Sequence, residues 1–152
     1  MQANQSDSTP AMARLAALVG EWTQEIDLTG VPVPAGRTVF EWMLGGSFLL
    51  QRNEIPHPDF PDSILIIAAD PGEETYTQHY FDSRGIARIY KMTFGEGKWT
   101  LRRNAQDFTP LDVPQRFTGT FGDDSIINGA WEHSPDGVTW KRDFSLAFKK
   151  IR

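Results

Sequence analysis

The sequence predicts an all-β fold, a closed antiparallel up-and-down β-barrel of about ten strands with a short N-terminal helix. Two observations predict it. Turn-forming combinations of Gly, Pro, Asp and Ser recur at regular spacing after residue 20, and the segments between them are of strand length, most of them rich in Val, Ile, Thr and aromatic residues. No helical pattern separates these segments, which argues against crossovers and a parallel sheet. An even number of strands lets the first and last pair antiparallel and close the sheet.

The helix is predicted close to the N-terminus. Thr9 suits the N-cap and Pro10 the first helical position. Apolar residues then recur at three- and four-residue spacing until Gly20 ends the pattern. The preceding residues 1–8 are polar, and we expect them to form a disordered tail.

The strands follow in chain order, and we predict that residues 9–152 form one domain, because neither a repeat nor a linker interrupts them. Gly119 and Gly129 lie inside strands, where they fit the sharp bends of a small barrel. The turn at 82–85 is expected to be a hairpin in which Asp accepts backbone N–H bonds and Gly takes a positive φ. The predicted strands are residues 20–28, 36–44, 47–55, 62–69, 74–82, 86–94, 98–104, 115–121, 125–133 and 138–148.

Composition excludes several functions. The 152 residues carry a net charge of -5, which argues against nucleic acid or an anionic membrane as the main partner. The absence of cysteine excludes a disulfide scaffold, a thiolate metal site and a cysteine nucleophile. Because the chain has neither an apolar run of membrane-spanning length nor the pattern of a signal peptide, we expect a cytoplasmic protein.

Three arginines fall on the predicted inner faces of strands, because side chains alternate between the two faces. Arg142 shares a face with the aromatic residues of the last strand, Arg88 with Tyr90, and Arg103 with Trp99. A guanidinium on an apolar face needs a carboxylate, a carbonyl or a bound anion. Two other interpretations stay open: Arg142 covers an indole and bonds strand-end carbonyls, or the sixth and seventh strands are one residue out of phase.

The positions of these arginines therefore indicate that the predicted barrel binds a small hydrophobic or amphipathic anionic molecule in its interior. One alternative is an enzyme that uses the cavity for isomerisation, cyclisation or hydrolysis of a lipid-like metabolite. Another is a filled barrel that acts as an interaction module or forms a homodimer. Cavity volume distinguishes the filled barrel from the first two. The predicted ligand-binding residues are Arg88, Tyr90, Arg142, Arg103, Phe40, Trp42, His79, Trp99, Phe117, Trp131 and Phe144.

Catalytic and metal motifs are not found, so we assign no catalytic residue, metal or cofactor. The three histidines lie far apart in sequence and in no metal-binding spacing. His79, Asp82 and Ser83 have the residue types of a hydrolase triad, but an extended strand separates the first from the last by about 13 Å at roughly 3.3 Å per residue.

Several motifs carry a resemblance to a known superfamily. Gly20-Glu-Trp22, which follows the short helix and opens the first strand, resembles the Gly-x-Trp signature of lipocalins and other calycins. Together with the segments 42–46, 79–85 and 129–131, it looks like an uncharacterised bacterial family of calycin-like domains. The resemblance implies a barrel with a central cavity, and the superfamily usually carries small hydrophobic molecules.

Individual residues extend the resemblance. Arg88-Ile-Tyr90 looks like the Arg-x-Tyr pair with which fatty-acid-binding proteins hold a carboxylate, although there the pair lies in the closing strand. Trp22 with Arg142 resembles the tryptophan-arginine lid at the closed end of lipocalins. Haem-binding barrels of the nitrobindin type use a late histidine as iron ligand, for which His133 is the only candidate; a single histidine near a strand end is more often a surface group.

Overall fold

The computed structural model describes a helical N-terminal segment followed by strands. Helix α1 spans Pro10–Arg14 and continues as a 3-10 turn over Leu15–Leu18. The predicted cap is confirmed, because the Thr9 hydroxyl accepts the Met12 backbone N–H at 3.2 Å. The predicted tail, residues 1–8, lies outside the described residues, which are 9–28, 33–72, 74–110 and 113–152. None of the helices in these ranges is long and apolar enough to cross a membrane.

Ten strands form one closed barrel in which every strand pairs antiparallel with its neighbours in sequence and β10 returns to β1. This confirms the predicted fold class. The strands are β1 (Gly20–Asp27), β2 (Gly36–Met43), β3 (Phe48–Glu54), β4 (Ser63–Ala69), β5 (Thr75–Asp82), β6 (Ala87–Gly95), β7 (Lys98–Arg103), β8 (Gln115–Asp123), β9 (Ile126–His133) and β10 (Lys141–Lys150).

The last strand begins at Lys141, three residues later than position 138, where the sequence predicted its start. Asp136 explains the difference, because its side chain accepts the backbone N–H groups of Val138 and Thr139 at 2.8 and 2.6 Å. These two N–H groups are therefore used in the turn and are not available to a sheet ladder.

Closure of the barrel depends on the pairing of β1 with β10, which runs from Trp22 opposite Lys150 to Asp27 opposite Ser145. The C-terminus extends this pairing, since the Glu21 backbone N–H donates to the Arg152 carbonyl at 2.7 Å. Full closure leaves none of the ten described strands with an unpaired edge.

The N-terminal helical segment closes one end of the barrel. Leu15 and Leu18 are fully buried beside Trp22, whose indole N–H donates to the Leu18 carbonyl at 2.8 Å. The Tyr76 hydroxyl donates to the Ala11 carbonyl at 2.6 Å and so ties α1 to β5. The other end of the barrel, where β1 ends and β6 begins, is not covered by any helix of the described residues. The loop between β3 and β4 lies over it.

The tryptophan-arginine lid that the resemblance implied is wrong for this chain. Trp22 lies at the plugged end, where the Lys150 ammonium is 5.3 Å from its ring. Arg142 lies near the start of β10, which is at the opposite end of the barrel.

Candidate ligand-binding cavity

The barrel interior contains a cavity of about 280 Å³ at the end opposite α1. Residues near the ends of β1 and β3 and the starts of β4 and β6 line it, among them Gln24, Asn53, Ser63 and Arg88. The loop between β3 and β4 reaches over the opening, where the Phe60 ring packs edge to face on Phe144 at 5.6 Å. The interior is therefore hollow at one end and filled at the other.

One wall of the cavity is aromatic. Rings follow one another in contact, with centroid distances of 5.5 Å from Tyr90 to Trp131, 5.4 Å from Trp131 to Phe117 and 5.0 Å from Phe117 to Trp99. All four side chains line the cavity, as does Phe144. The structure thus brings these five predicted residues together, and strands β6 to β10 supply the wall.

Arg88 and Tyr90 face the same cavity from β6. The Arg88 Nε atom is buried and has no hydrogen-bond partner, and none of the described carboxylates lies within ion-pair distance of its guanidinium. The guanidinium carbon lies 5.9 Å from the centre of the Tyr80 ring. Burial raises the pKa of Tyr90, and the neighbouring Arg88 partly opposes this increase. Arg88 thus brings a positive charge to a mostly apolar cavity.

The other wall is polar, and sequence reasoning missed it. Gln51 Nε2 donates to Asn53 Oδ1 at 3.1 Å, and Asn53 Nδ2 donates to Ser63 Oγ at 3.0 Å. The Thr38 hydroxyl lies 2.8 Å from Asn53 Oδ1 and 3.1 Å from Gln24 Oε1. The alternation of side chains in the third predicted strand places Gln51 and Asn53 on one face, and this was the available signal.

Arg103 is buried but does not line the cavity. Its Nε and Nη2 donate to the two carboxylate oxygens of Asp107 at 3.0 and 2.9 Å, and Nη2 also donates to the Thr109 carbonyl at 2.6 Å. The predicted inward phase of its strand is correct, because the residue is only 3% exposed. Arg103 was predicted to contact a ligand, but in the structure it binds the carboxylate of Asp107 from the following loop.

Arg142 does not point inward, contrary to the prediction. The ladder between β9 and β10 shifts register between Arg142 and Phe144, so that Asp143 is an extra residue of a β-bulge. Arg142 consequently pairs with Glu132 on the outer face and is exposed, whereas Asp143 reaches the mouth of the cavity.

His79, Phe40 and Trp42 also lie outside the cavity lining. His79 sits between the buried Gln78 and the cavity-lining Tyr80, so the alternation of β5 places it on the outer face. Phe40 is buried in the core with its ring 6.0 Å from that of Trp99, and Trp42 packs against the same core while partly exposed. Both aromatic residues belong to the half of β2 nearer the plugged end.

Arg84, a second arginine at the mouth, already has a carboxylate partner. Arg84 lines the cavity, but its guanidinium donates to Asp82 at 2.7 Å. Burial alone would raise the pKa of Asp82, yet hydrogen bonds from Arg84, Tyr80 and the backbone lower it to about 2. The predicted hairpin is confirmed, because Asp82 accepts the Arg84 N–H at 2.9 Å and Gly85 has φ of 84°.

The histidine considered for haem has a different neighbour. His133 Nδ1 is hydrogen-bonded to Asp143, and His133 is not among the residues that line the cavity. Across the described ranges, no group of three His, Cys, Asp or Glu side chains is arranged to hold a metal ion.

Comparison with known proteins supports the architecture. No protein-family model and no curated protein matches this sequence. Among solved structures, the chain is similar to the crystal structure of Rv2717c from M. tuberculosis, with a TM-score of 0.64 and 16% sequence identity. The similarity covers 96% of this chain and 100% of that chain. At this level of identity, the similarity establishes a shared barrel fold.

Proposed function

We propose that this protein is a calycin-like barrel that binds a small hydrophobic or amphipathic anionic molecule in its cavity. The observation that carries the proposal is Arg88, whose guanidinium lines the cavity without a carboxylate partner among the described residues. Arg84 and Arg103, its neighbours at the same end of the barrel, each have an aspartate.

An unpaired guanidinium beside aromatic rings is unfavourable, because the charge loses hydration without gaining a counter-ion. A carboxylate or another planar anion restores that loss through charge-assisted hydrogen bonds, and guanidinium geometry suits two parallel bonds. The aromatic wall of Tyr90, Trp99, Phe117 and Trp131 would then cover the apolar part of the ligand.

Binding without chemistry is preferred over the enzyme alternative. A general acid or base works best with a pKa near the working pH. The two carboxylates that pair with arginines at this end of the barrel, Asp82 and Asp107, both have a pKa lowered by hydrogen bonds, and neither is among the residues that line the cavity. The cavity itself argues against the filled barrel, because its volume and its convergent polar groups fit a ligand site.

The test is retention of a small molecule by protein purified from its own host, measured by native mass spectrometry. We expect wild type to carry an anionic compound that Arg88→Met loses. Arg142→Met is the matched control, since Arg142 lies exposed on the outer face, and it should retain the compound as wild type does. Equal retention by Arg88→Met and wild type, with both folded by circular dichroism, would contradict the proposal.

A further inference from the structure

Two residues that line the cavity, Gln51 and Gln115, have a buried amide oxygen without a hydrogen-bond partner among the described residues, and Gln51 belongs to the polar wall opposite the aromatic rings. Gln51 is only 4% exposed, lines the cavity, and its Oε1 has no hydrogen-bond partner. Its Nε2 donates to Asn53 Oδ1, whose own amide donates to Ser63. In this arrangement the carbonyl oxygen of Gln51 faces the cavity.

The neighbouring Thr38 hydroxyl can donate a hydrogen bond to only one of the two amide oxygens near it. Thr38 lies within hydrogen-bond distance of Gln24 Oε1 and Asn53 Oδ1, but a hydroxyl has one proton. Asn53 Oδ1 already accepts from Gln51 Nε2, so the Thr38 proton can go to Gln24 Oε1. Gln51 Oε1 is therefore the acceptor on this wall that none of the described groups satisfies.

The register relates this wall to Arg88. Gln51 pairs with Leu65, Leu65 with Tyr80 and Tyr80 with Arg88, so the four residues form one inward-facing row across β3 to β6. Three strand spacings of about 4.8 Å separate the ends of the row by about 14 Å along the curved sheet. A positive donor thus lies at one end of the row and a buried acceptor at the other.

We infer that the ligand carries a hydroxyl group in addition to its anionic group, and that this hydroxyl donates to Gln51 Oε1 while the anion binds Arg88. The inference rests on the proposed function. A buried acceptor without a donor disfavours any ligand that lacks the matching group. The cavity of about 280 Å³ has room for about nine water molecules at roughly 30 Å³ each, so the ligand is compact, of the class of hydroxylated single-ring carboxylic acids.

The test uses probes that differ only in the hydroxyl. We would titrate wild type, Gln51→Met and Arg88→Met by isothermal titration calorimetry with 3- and 4-hydroxybenzoate and with 3- and 4-methylbenzoate, whose methyl group has nearly the size of the hydroxyl. At least one hydroxybenzoate should bind wild type about tenfold more tightly than its methyl counterpart. In Gln51→Met that ratio should fall to about one while the methylbenzoates still bind, and Arg88→Met should weaken both series.

The outcomes separate the two claims. Equal affinity of hydroxyl and methyl probes for wild type, or a preference that persists in Gln51→Met, would overturn the inferred hydroxyl and leave anion binding intact. Failure of all four probes to bind wild type would contradict the proposed anion site as well. Binding of methylbenzoates to Gln51→Met also shows that this variant is folded.

Discussion

Among individual residues, Arg103 and Arg88 show how a partner determines the role of an arginine on the inner face of the barrel. Arg103 and Asp107 form a two-bond ion pair, with the side chains 3% and 6% exposed. Asp107 also accepts the Ile89 backbone N–H at 2.8 Å, at a point of β6 beyond the pairing with β7. The pair therefore fastens the loop that follows β7 onto β6, which is a structural role.

Asp107→Asn should lower the free energy of unfolding by about 3–5 kcal/mol, because it removes the carboxylate that accepts two hydrogen bonds from the buried Arg103 guanidinium. Urea denaturation at pH 7 measures this change. The exposed Asp124→Asn is the matched control and should change stability by less than about 0.5 kcal/mol. Equal stability of Asp107→Asn and wild type would show that the ion pair contributes nothing.

The same variant has a defined pH dependence. The Arg103 hydrogen bonds hold the pKa of Asp107 below its ordinary value, and backbone N–H groups of Thr109 and Ile89 act in the same direction. A depressed folded-state pKa contributes stability that is present above the unfolded pKa of about 3.9 and is lost as the pH falls below it. The stability difference between wild type and Asp107→Asn should therefore narrow below about pH 4.

At the element scale, a pair of glycines in β8 and β9 makes room for a ring of the cavity wall. Gly119 lies opposite Gly129. A Cβ at Gly129 would lie 2.5 Å from Cε1 of Phe117, and one at Gly119 would lie 3.0 Å from Cε2 of the same ring. The sequence analysis predicted these glycines as sites of sharp bends, and the structure gives them a role in packing.

Gly129→Ala should therefore push the Phe117 ring toward the cavity and lower the free energy of unfolding by about 1–3 kcal/mol. Phe117→Leu should relieve the clash, so the double variant should be more stable than the sum of the two single changes implies. Urea denaturation of the four proteins measures this coupling. Additive effects would mean that the ring does not rest on the glycine pair.

Strand positions could be predicted from the sequence because turn chemistry and side-chain alternation are local. Alternation in the last strand places Phe144, Leu146 and Phe148 correctly, and it is wrong at Arg142, because the Asp143 bulge reverses the faces without marking the pattern. The Asp107 partner of Arg103 comes from an irregular loop, and the network around Gln51 joins side chains from several strands. Neither contact could be predicted from one segment.

Across the whole molecule, the two ends of the barrel differ in packing: one is filled by the core and the other holds the cavity. Leu15, Leu18, Trp22, Met92 and Ile127 are fully buried at the plugged end, where α1 covers the rings and aliphatic side chains. At the open end, Arg88, the polar wall and the aromatic wall surround the cavity. Closure through β1 and β10 holds both ends in one sheet, so a ligand site can exist without interrupting the core.

The most direct test of anion binding in the cavity observes the Arg88 side chain itself. Arginine Nε–H signals can be recorded by ¹H–¹⁵N NMR, and the Arg88 signal is identified by its disappearance in Arg88→Met. On addition of benzoate, we expect the Arg88 signal to shift to saturation while the signal of Arg103, which is bound to Asp107, stays in place. An Arg88 signal that does not move throughout the benzoate titration would contradict anion binding at Arg88.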